Sequence, residues 1–190
     1  KNELYRLKIF GDHNLQNISG ALNICKALGV ESEDFYNAIT SFNGASNRLE
    51  LVYKSSDTII FKDFAHSPSK VKATTEAVRK QFPNRKLISF FELHTYSSLN
   101  PLFLEKYRDT LKHSDECYIY YSEKNMRIKR LEPIDSELIR RSFNHSSLTV
   151  IDNYEKLNKK IYDLDLSNSV LLMMSSGKFG GLDIDLSLIH

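Results

Sequence analysis

At 190 residues the chain can bury one sizeable core with at most a small second unit. With 41% apolar and 26% charged residues, and only 7 Gly and 4 Pro, it is neither disordered nor fibrous. A formal net charge of +2, from 26 basic and 24 acidic residues, gives no field for holding nucleic acid, and no apolar run approaches the ~20 residues a membrane helix needs.

In chain order, Lys1 to Phe10 reads as a strand entered in the middle of a longer protein, without cap or targeting pattern. Gly11-Asp12-His13-Asn14 then turns into a helix over 15–28, with Asn14 a natural cap and Leu15, Ile18, Leu22, Cys25 and Leu28 forming one apolar stripe that Gly29 ends. Ser32, with Glu33 and Asp34, is expected to cap a short helix carrying Phe35, Ile39 and Phe42 inward. Residues 43–47, Asn-Gly-Ala-Ser-Asn, make a small polar linker, and the domain boundary is set there.

Arg48 stands at the mouth of a hairpin of 49–54 and 58–63, whose second strand delivers Asp63, His66 and Ser67 to a helix start. Ser67 is a plausible N-cap, with Pro68 in the first turn and Val71, Thr75, Val78 and Phe82 as the buried stripe. An apolar strand over 87–91 runs into a polar loop, Glu92 to Leu99, and a helix capped by Asn100 and Pro101 turns Phe103, Leu104, Tyr107 and Leu111 inward. Strands over 116–121, 148–151 and 170–174 alternate with helices over 135–143 and 154–164. Lys124 to Arg130, the basic cluster between them, reads as a solvated surface segment.

Continuously apolar strands alternating with helices point to an α/β fold: a Rossmann-like, doubly wound and mainly parallel sheet with an antiparallel hairpin strand, preceded by a small helical piece. Right-handed crossovers in such a sheet bring the loops 63–67, 92–98 and 175–181 to one edge, where open α/β sheets bind ligands.

Each candidate at that edge has a plain structural reading beside the functional one. A carboxylate, an imidazole and a hydroxyl at 63, 66 and 67 can hold a ribose and a phosphate chain, but Asp63 can equally cap its own turn and His66 can be a satisfied loop histidine. Glu92 and His94 share a side-chain direction and suit an acid–base or metal pair, although two ligands make no metal site. Ser175 to Gly181 contains a Gly-Lys pair, yet Leu172 and Phe179 occupy positions where a phosphate loop needs Gly and Ser or Thr. That leaves glycines for a tight turn, or a substrate-lining loop. No nucleophile elbow or zinc motif is present, and Cys25 and Cys117 read as buried free thiols of a reducing cytoplasm.

The words of the sequence also resemble a known family. Arg48-Leu49-Glu50 followed by Asp63-Phe64-Ala65-His66-Ser67-Pro68 resembles the junction and first loop of the C-terminal domain of the Mur ligases. Gly11-Asp12-His13-Asn14-Leu15-Gln16-Asn17 with Gly20-Ala21-Leu22 is similar to the segment that closes their ATPase domain, and the likeness runs along essentially the whole chain. It implies that residues 1–46 end the central ATP-binding domain and 47–190 form the C-terminal domain. It further implies an ATP- and magnesium-dependent, cytoplasmic peptidoglycan enzyme that joins an amino acid or tripeptide to UDP-N-acetylmuramate through an acyl phosphate.

By the same resemblance, His13, Asn14 and Asn17 lie against the adenine, Arg48 reaches the phosphates, and Asp63 contacts the ribose. His66 and Ser67 face the reacting centre, with His94, Ser175 and Ser176 near the incoming amine. Thr95 and Ser98 stand where alanine-adding members place arginines, which leaves the choice between alanine and tripeptide open. The phosphate loop and the UDP-sugar domain would lie upstream, so this piece alone is expected to be inert. The competing functions are a noncatalytic nucleotide-binding regulatory module and a ligase of the folylpolyglutamate synthetase type.

Overall fold

The structure is a computed structural model that describes residues 4–183. The strand expected over 1–10 does not form in its described part, residues 4–10, because no neighbouring strand pairs with it and a strand exists only as part of a ladder. Residues 1–3 of that expectation lie outside the described residues.

Two helices follow, α1 (Asp12–Ala27) and α2 (Ser32–Ile39). Gly29 ends α1 as expected, in the left-handed region at φ +84°, with Val30 N–H reaching back to the Cys25 carbonyl at 3.0 Å. The apolar stripe of α1 does not reach the core: Leu15 is 48% and Leu28 78% exposed. Neither expected cap forms. Glu31 holds the N-cap position of α2, so Ser32 is its first helical residue, and Asn14 sits inside the first turn of α1, donating to the Phe10 carbonyl at 2.8 Å.

The remainder is a six-stranded sheet of β1 (Glu50–Lys54), β2 (Thr58–Asp63), β3 (Lys86–Glu92), β4 (Glu116–Tyr120), β5 (Leu148–Ile151) and β6 (Ser169–Met174), in the order β1-β2-β6-β3-β4-β5. Only the β1–β2 pair is antiparallel, so the expected mainly parallel sheet with a hairpin strand is what the residues build. Period-two alternation divides the strands between two cores. Phe61, Leu87, Phe91, Ile119 and Leu172 face α3 (Pro68–Gln81), α4 (Pro101–Leu104) and α6 (Ser136–Phe143). Ile60, Ile88, Phe90, Tyr118 and Met173 face α7 (Tyr154–Tyr162) through Leu157 and Ile161. Each such side chain contributes about 1.5–3 kcal/mol by leaving water.

The basic stretch over 124–130 is largely helical, as α5 (Glu123–Ile128), capped by Ser122. It is not simply solvated: Met126 is buried, and Lys129 reaches the loop after β3, where its ammonium donates to the His94 carbonyl and lies 4.9 Å above the Tyr96 ring.

The connection that matters for the site is the last one. β6 returns to insert between β2 and β3, so Met174 is in register with both Asp63 and Phe91. The carboxyl ends of three strands far apart in sequence therefore lie side by side.

Candidate functional site

Two of the clefts beside the carboxyl edge hold most of the candidate residues. The first, about 670 Å³, lies between α1 and the start of α3. α1 can come this close because Gly11, at φ +93°, has no side chain: a Cβ there would sit 2.9 Å from that of Ala77 on α3. The Lys80–Asp12 ion pair at 3.3 Å joins the same two helices, with both partners largely exposed. Positions 13, 14 and 17 share one side of α1, and His13, Asn14 and Asn17 all line this cleft together with the apolar Ile18. Arg48 and Asp63 complete it from the linker and β2, facing Lys70 and Thr74 of α3.

Asp63 is buried and heavily engaged. Leu49 N–H donates to its Oδ2 at 2.7 Å, Ala65 N–H to its Oδ1 at 2.7 Å, and the Thr74 hydroxyl to Oδ1 at 3.3 Å. The turn-capping reading is therefore realised, and the carboxylate still borders the cleft with lone-pair capacity to spare. Arg48 is exposed; no carboxylate among the described residues pairs with it, and its guanidinium stands 5.9 Å from the centre of the Phe64 ring.

Phe64 turns toward the second cleft, about 650 Å³, which Lys62, His94, Asn125, Ser176 and Lys178 also line. Its floor is Glu92, only 2% exposed. The Ser175 hydroxyl and the Phe179 N–H, the latter at 2.9 Å, both donate to Oε2 of Glu92. Oε1 lies 3.6 Å from Nδ1 of His94. Gly177 N–H donates to the Ser175 hydroxyl at 2.7 Å, so that hydroxyl is occupied on both sides and Ser175 serves as a brace. The Ser176 hydroxyl is buried without a partner. Gly177 is required by space: a Cβ there would meet Oε2 of Glu92 at 2.7 Å and Nδ1 of His94 at 2.8 Å.

His66 and Ser67 line neither cleft. His66 Nδ1 lies 2.9 Å from the Phe64 carbonyl, and Tyr107, whose hydroxyl burial keeps protonated well above the usual range, donates to the His66 carbonyl at 2.6 Å. Ser67 holds the N-cap position of α3 without a side-chain bond. Lys62, Lys70, Thr74 and Asn125 border the clefts without having been singled out as site residues from the sequence, and Lys178, noted there only for its Gly-Lys pair, joins them. They come from β2, α3, α5 and the turn after β6, which the return of β6 and the packing of α1 and α5 bring to the site.

No group of three or more His, Cys, Asp or Glu that could cage a metal occurs among the described residues. No helix among them is long and apolar enough to cross a membrane.

The family model described as Mur ligase, glutamate ligase domain, matches residues 47–177. A UDP-N-acetylmuramate–L-alanine ligase of Lactobacillus delbrueckii subsp. bulgaricus is 32% identical over 115 residues, 60% of this chain and 26% of that protein. The Lactococcus lactis subsp. cremoris enzyme of the same name is 27% identical over 162 residues, 84% of this chain and 32% of that protein. Among solved structures, the UDP-N-acetylmuramate-alanine ligase of Thermotoga maritima superimposes with a TM-score of 0.73 at 18% identity, over 94% of this chain and 38% of that one. A murein peptide ligase of Psychrobacter arcticus gives 0.65 at 22%, over 94% and 37%. The chain thus spans about a quarter to two fifths of the length of these four relatives.

Proposed function

This chain belongs to the Mur ligase family, and on that premise we propose that it is the C-terminal part of an ATP-dependent ligase joining L-alanine, or an L-alanyl-γ-D-glutamyl-diaminopimelate tripeptide, to UDP-N-acetylmuramate. Residues 1–46 end the central ATP-binding domain and 47–190 form the C-terminal domain, a division supported by the family match beginning at residue 47. The enzyme works in the cytoplasm on peptidoglycan precursors.

One observation carries the reading. A single cleft gathers His13, Asn14 and Asn17 from α1 with Arg48 and Asp63 from the segment that opens the sheet. Its mixture of apolar wall, amide groups and a cation suits an adenine nucleoside with phosphates. His13, Asn14 and Asn17 hold the base, Asp63 the ribose, and Arg48 the phosphates as charge moves between them. Phosphoryl transfer and acyl transfer then depend on positioning and charge stabilisation rather than on a covalent intermediate with the protein.

Arg48 and Phe64 form the ridge between the nucleotide cleft and the second cleft, where His94 and the unpartnered Ser176 hydroxyl meet the incoming amine while Ser175 holds the loop. His66 packs its ring 5.2 Å from that of Phe64 and Ser67 opens α3, neither lining a cleft, so a part for them at the reacting centre is supported by the resemblance alone. Magnesium would supply charge neutralisation at the phosphates, and none of the described residues is assigned to hold it.

The test is ATP hydrolysis by the full-length protein, dependent on UDP-N-acetylmuramate, with alanine, the tripeptide and a folate acceptor supplied separately. Turnover stimulated by alanine or tripeptide is expected, and none from residues 1–190 alone. Stimulation by the folate substrate, or by no amine at all, would overturn the reading.

A further inference from the structure

An incoming amine has to lose a proton, and the reading above gives that proton no acceptor. Amines are ammonium ions near neutral pH, and the nitrogen lone pair can attack an acyl carbon only after a proton leaves. The second cleft contains a pair of groups suited to taking it. Glu92 and His94 leave β3 two residues apart; the carboxylate is 2% exposed and the imidazole 35%, with Nδ1 lying 3.6 Å from Oε1.

The surroundings leave that pair little freedom. Oε2 is committed to Ser175 and to Phe179 N–H, so Oε1 is the edge presented to the ring. The turn at Gly177 presses on both side chains from one side, with no space for even a methyl group. The Lys129 ammonium grips the His94 carbonyl on the α5 side. Nδ1 is the nitrogen nearer Glu92, at 3.6 Å from Oε1, which leaves Nε2 as the ring nitrogen for a ligand in the cleft.

We propose that His94 is the proton acceptor for the attacking amine and that Glu92 is its positioning residue. The inference rests on the ligase reading and adds to it a step that the nucleotide cleft does not supply. In that step one N–H bond of the ammonium breaks, a bond from Nε2 to the same proton forms, and the electron pair stays on the amine nitrogen. Nδ1 stays on the side of Glu92, the carboxyl group positioned to offset the imidazolium. The other charged groups facing the pair are Lys62 at the end of β2 and Lys178 in the turn after β6, both lining the same cleft, and Lys129 behind the loop.

The experiment compares two nucleophiles in the full-length protein with ATP and UDP-N-acetylmuramate. One is alanine or the tripeptide, whichever turns over faster, and the other is hydroxylamine, an amine already largely unprotonated at neutral pH. His94→Ala is expected to lower turnover about 10²-fold or more with the natural amine but less than about 5-fold with hydroxylamine, and added imidazole is expected to restore part of the loss. Glu92→Gln keeps an acceptor oxygen for Phe179 N–H while turning an amide toward the ring; it is expected to lower kcat about 10-fold with little change in KM. Should His94→Ala not fold, Glu92→Gln carries the same two-nucleophile comparison.

Equal losses with both nucleophiles, or no rescue by imidazole, would overturn the proposal while leaving an active ligase in hand. A wild-type protein that makes no ATP-dependent product with either nucleophile overturns the ligase reading itself, and this proposal with it.

Discussion

The backbone N–H of Leu49 donates to Oδ2 of Asp63 at 2.7 Å, and this bond holds a buried leucine in the left-handed region at φ +49°. The same carboxylate caps the turn at Ala65, so a single side chain joins the linker, the end of β2 and the entry to α3. Phe179 repeats the arrangement at the second cleft: its φ is +47° and its N–H donates to the buried Glu92. Each buried carboxylate offsets a backbone strain of about 1–2 kcal/mol at the edge where the clefts open.

Asp63→Ala is expected to lower stability by about 2–4 kcal/mol, because the N–H groups of Leu49 and Ala65 lose their buried acceptor. Asp63→Asn, which keeps one acceptor oxygen, is expected to lose less. Urea denaturation of both variants measures the difference. An alanine variant as stable as the wild type would show that these bonds contribute nothing.

Gly177→Ala and Gly20→Ala make a matched pair. The first drives a methyl group to within 2.7 Å of Glu92, while the second meets nothing within 4 Å on the exposed side of α1. Gly20→Ala is expected to stabilise by up to about 1 kcal/mol and Gly177→Ala to destabilise by about 1–3 kcal/mol. Thermal melting with both variants reads the two signs directly; the same sign for both would contradict the packing described around Gly177.

Arg48 is exposed and unpaired among the described residues, so its loss costs little folding energy. In the full-length enzyme Arg48→Ala is expected to reduce turnover about 10²-fold or more by removing a charge aimed at the transferring phosphate. Arg48→Lys is expected to recover only part of that, since a point charge replaces a bidentate fork. Near wild-type turnover of the alanine variant, with an unchanged melting temperature, would remove Arg48 from the reaction.

Cys117 is fully buried on β4, and burial pushes its thiol from an ordinary value near 9 up to about 12. Between those values the unfolded chain releases a proton that the folded chain keeps, so stability is expected to fall as pH rises above about 9. Cys117→Ala is expected to lessen that fall between about pH 9 and 10, above which the buried Tyr107, Tyr118, Tyr120 and Tyr121, raised in the same direction, sustain it. In the native protein a thiol reagent is expected to react with the half-buried Cys25 and to reach Cys117 only after unfolding.

The layered α/β architecture was legible in the residues because apolar period is a local property. Runs such as Leu87 to Phe91 and Val170 to Met174 are too short for buried helices and read as buried strands, and Pro68 and Pro101 mark helix starts. Asp63, Glu92 and Ser175 were likewise visible as polar residues released at strand ends. Right-handed crossovers also brought the loops 63–67, 92–98 and 175–181 to one edge, and what the residues left open was the strand order along it. That depended on β6 inserting between β2 and β3, a long-range pairing that no local pattern encodes. The same holds for the stripe of α1, which is amphipathic in sequence yet stays largely exposed, and for the segment 4–10, which has strand-like residues but joins no strand ladder among the described residues. The partners of Glu92 were equally beyond reach, since Ser175 and Phe179 lie more than eighty residues away. Local sequence dictates which elements form, because propensity and periodicity act over a few residues. The tertiary structure alone decided which side chains share a cleft, because burial is decided by contacts between distant parts of the chain.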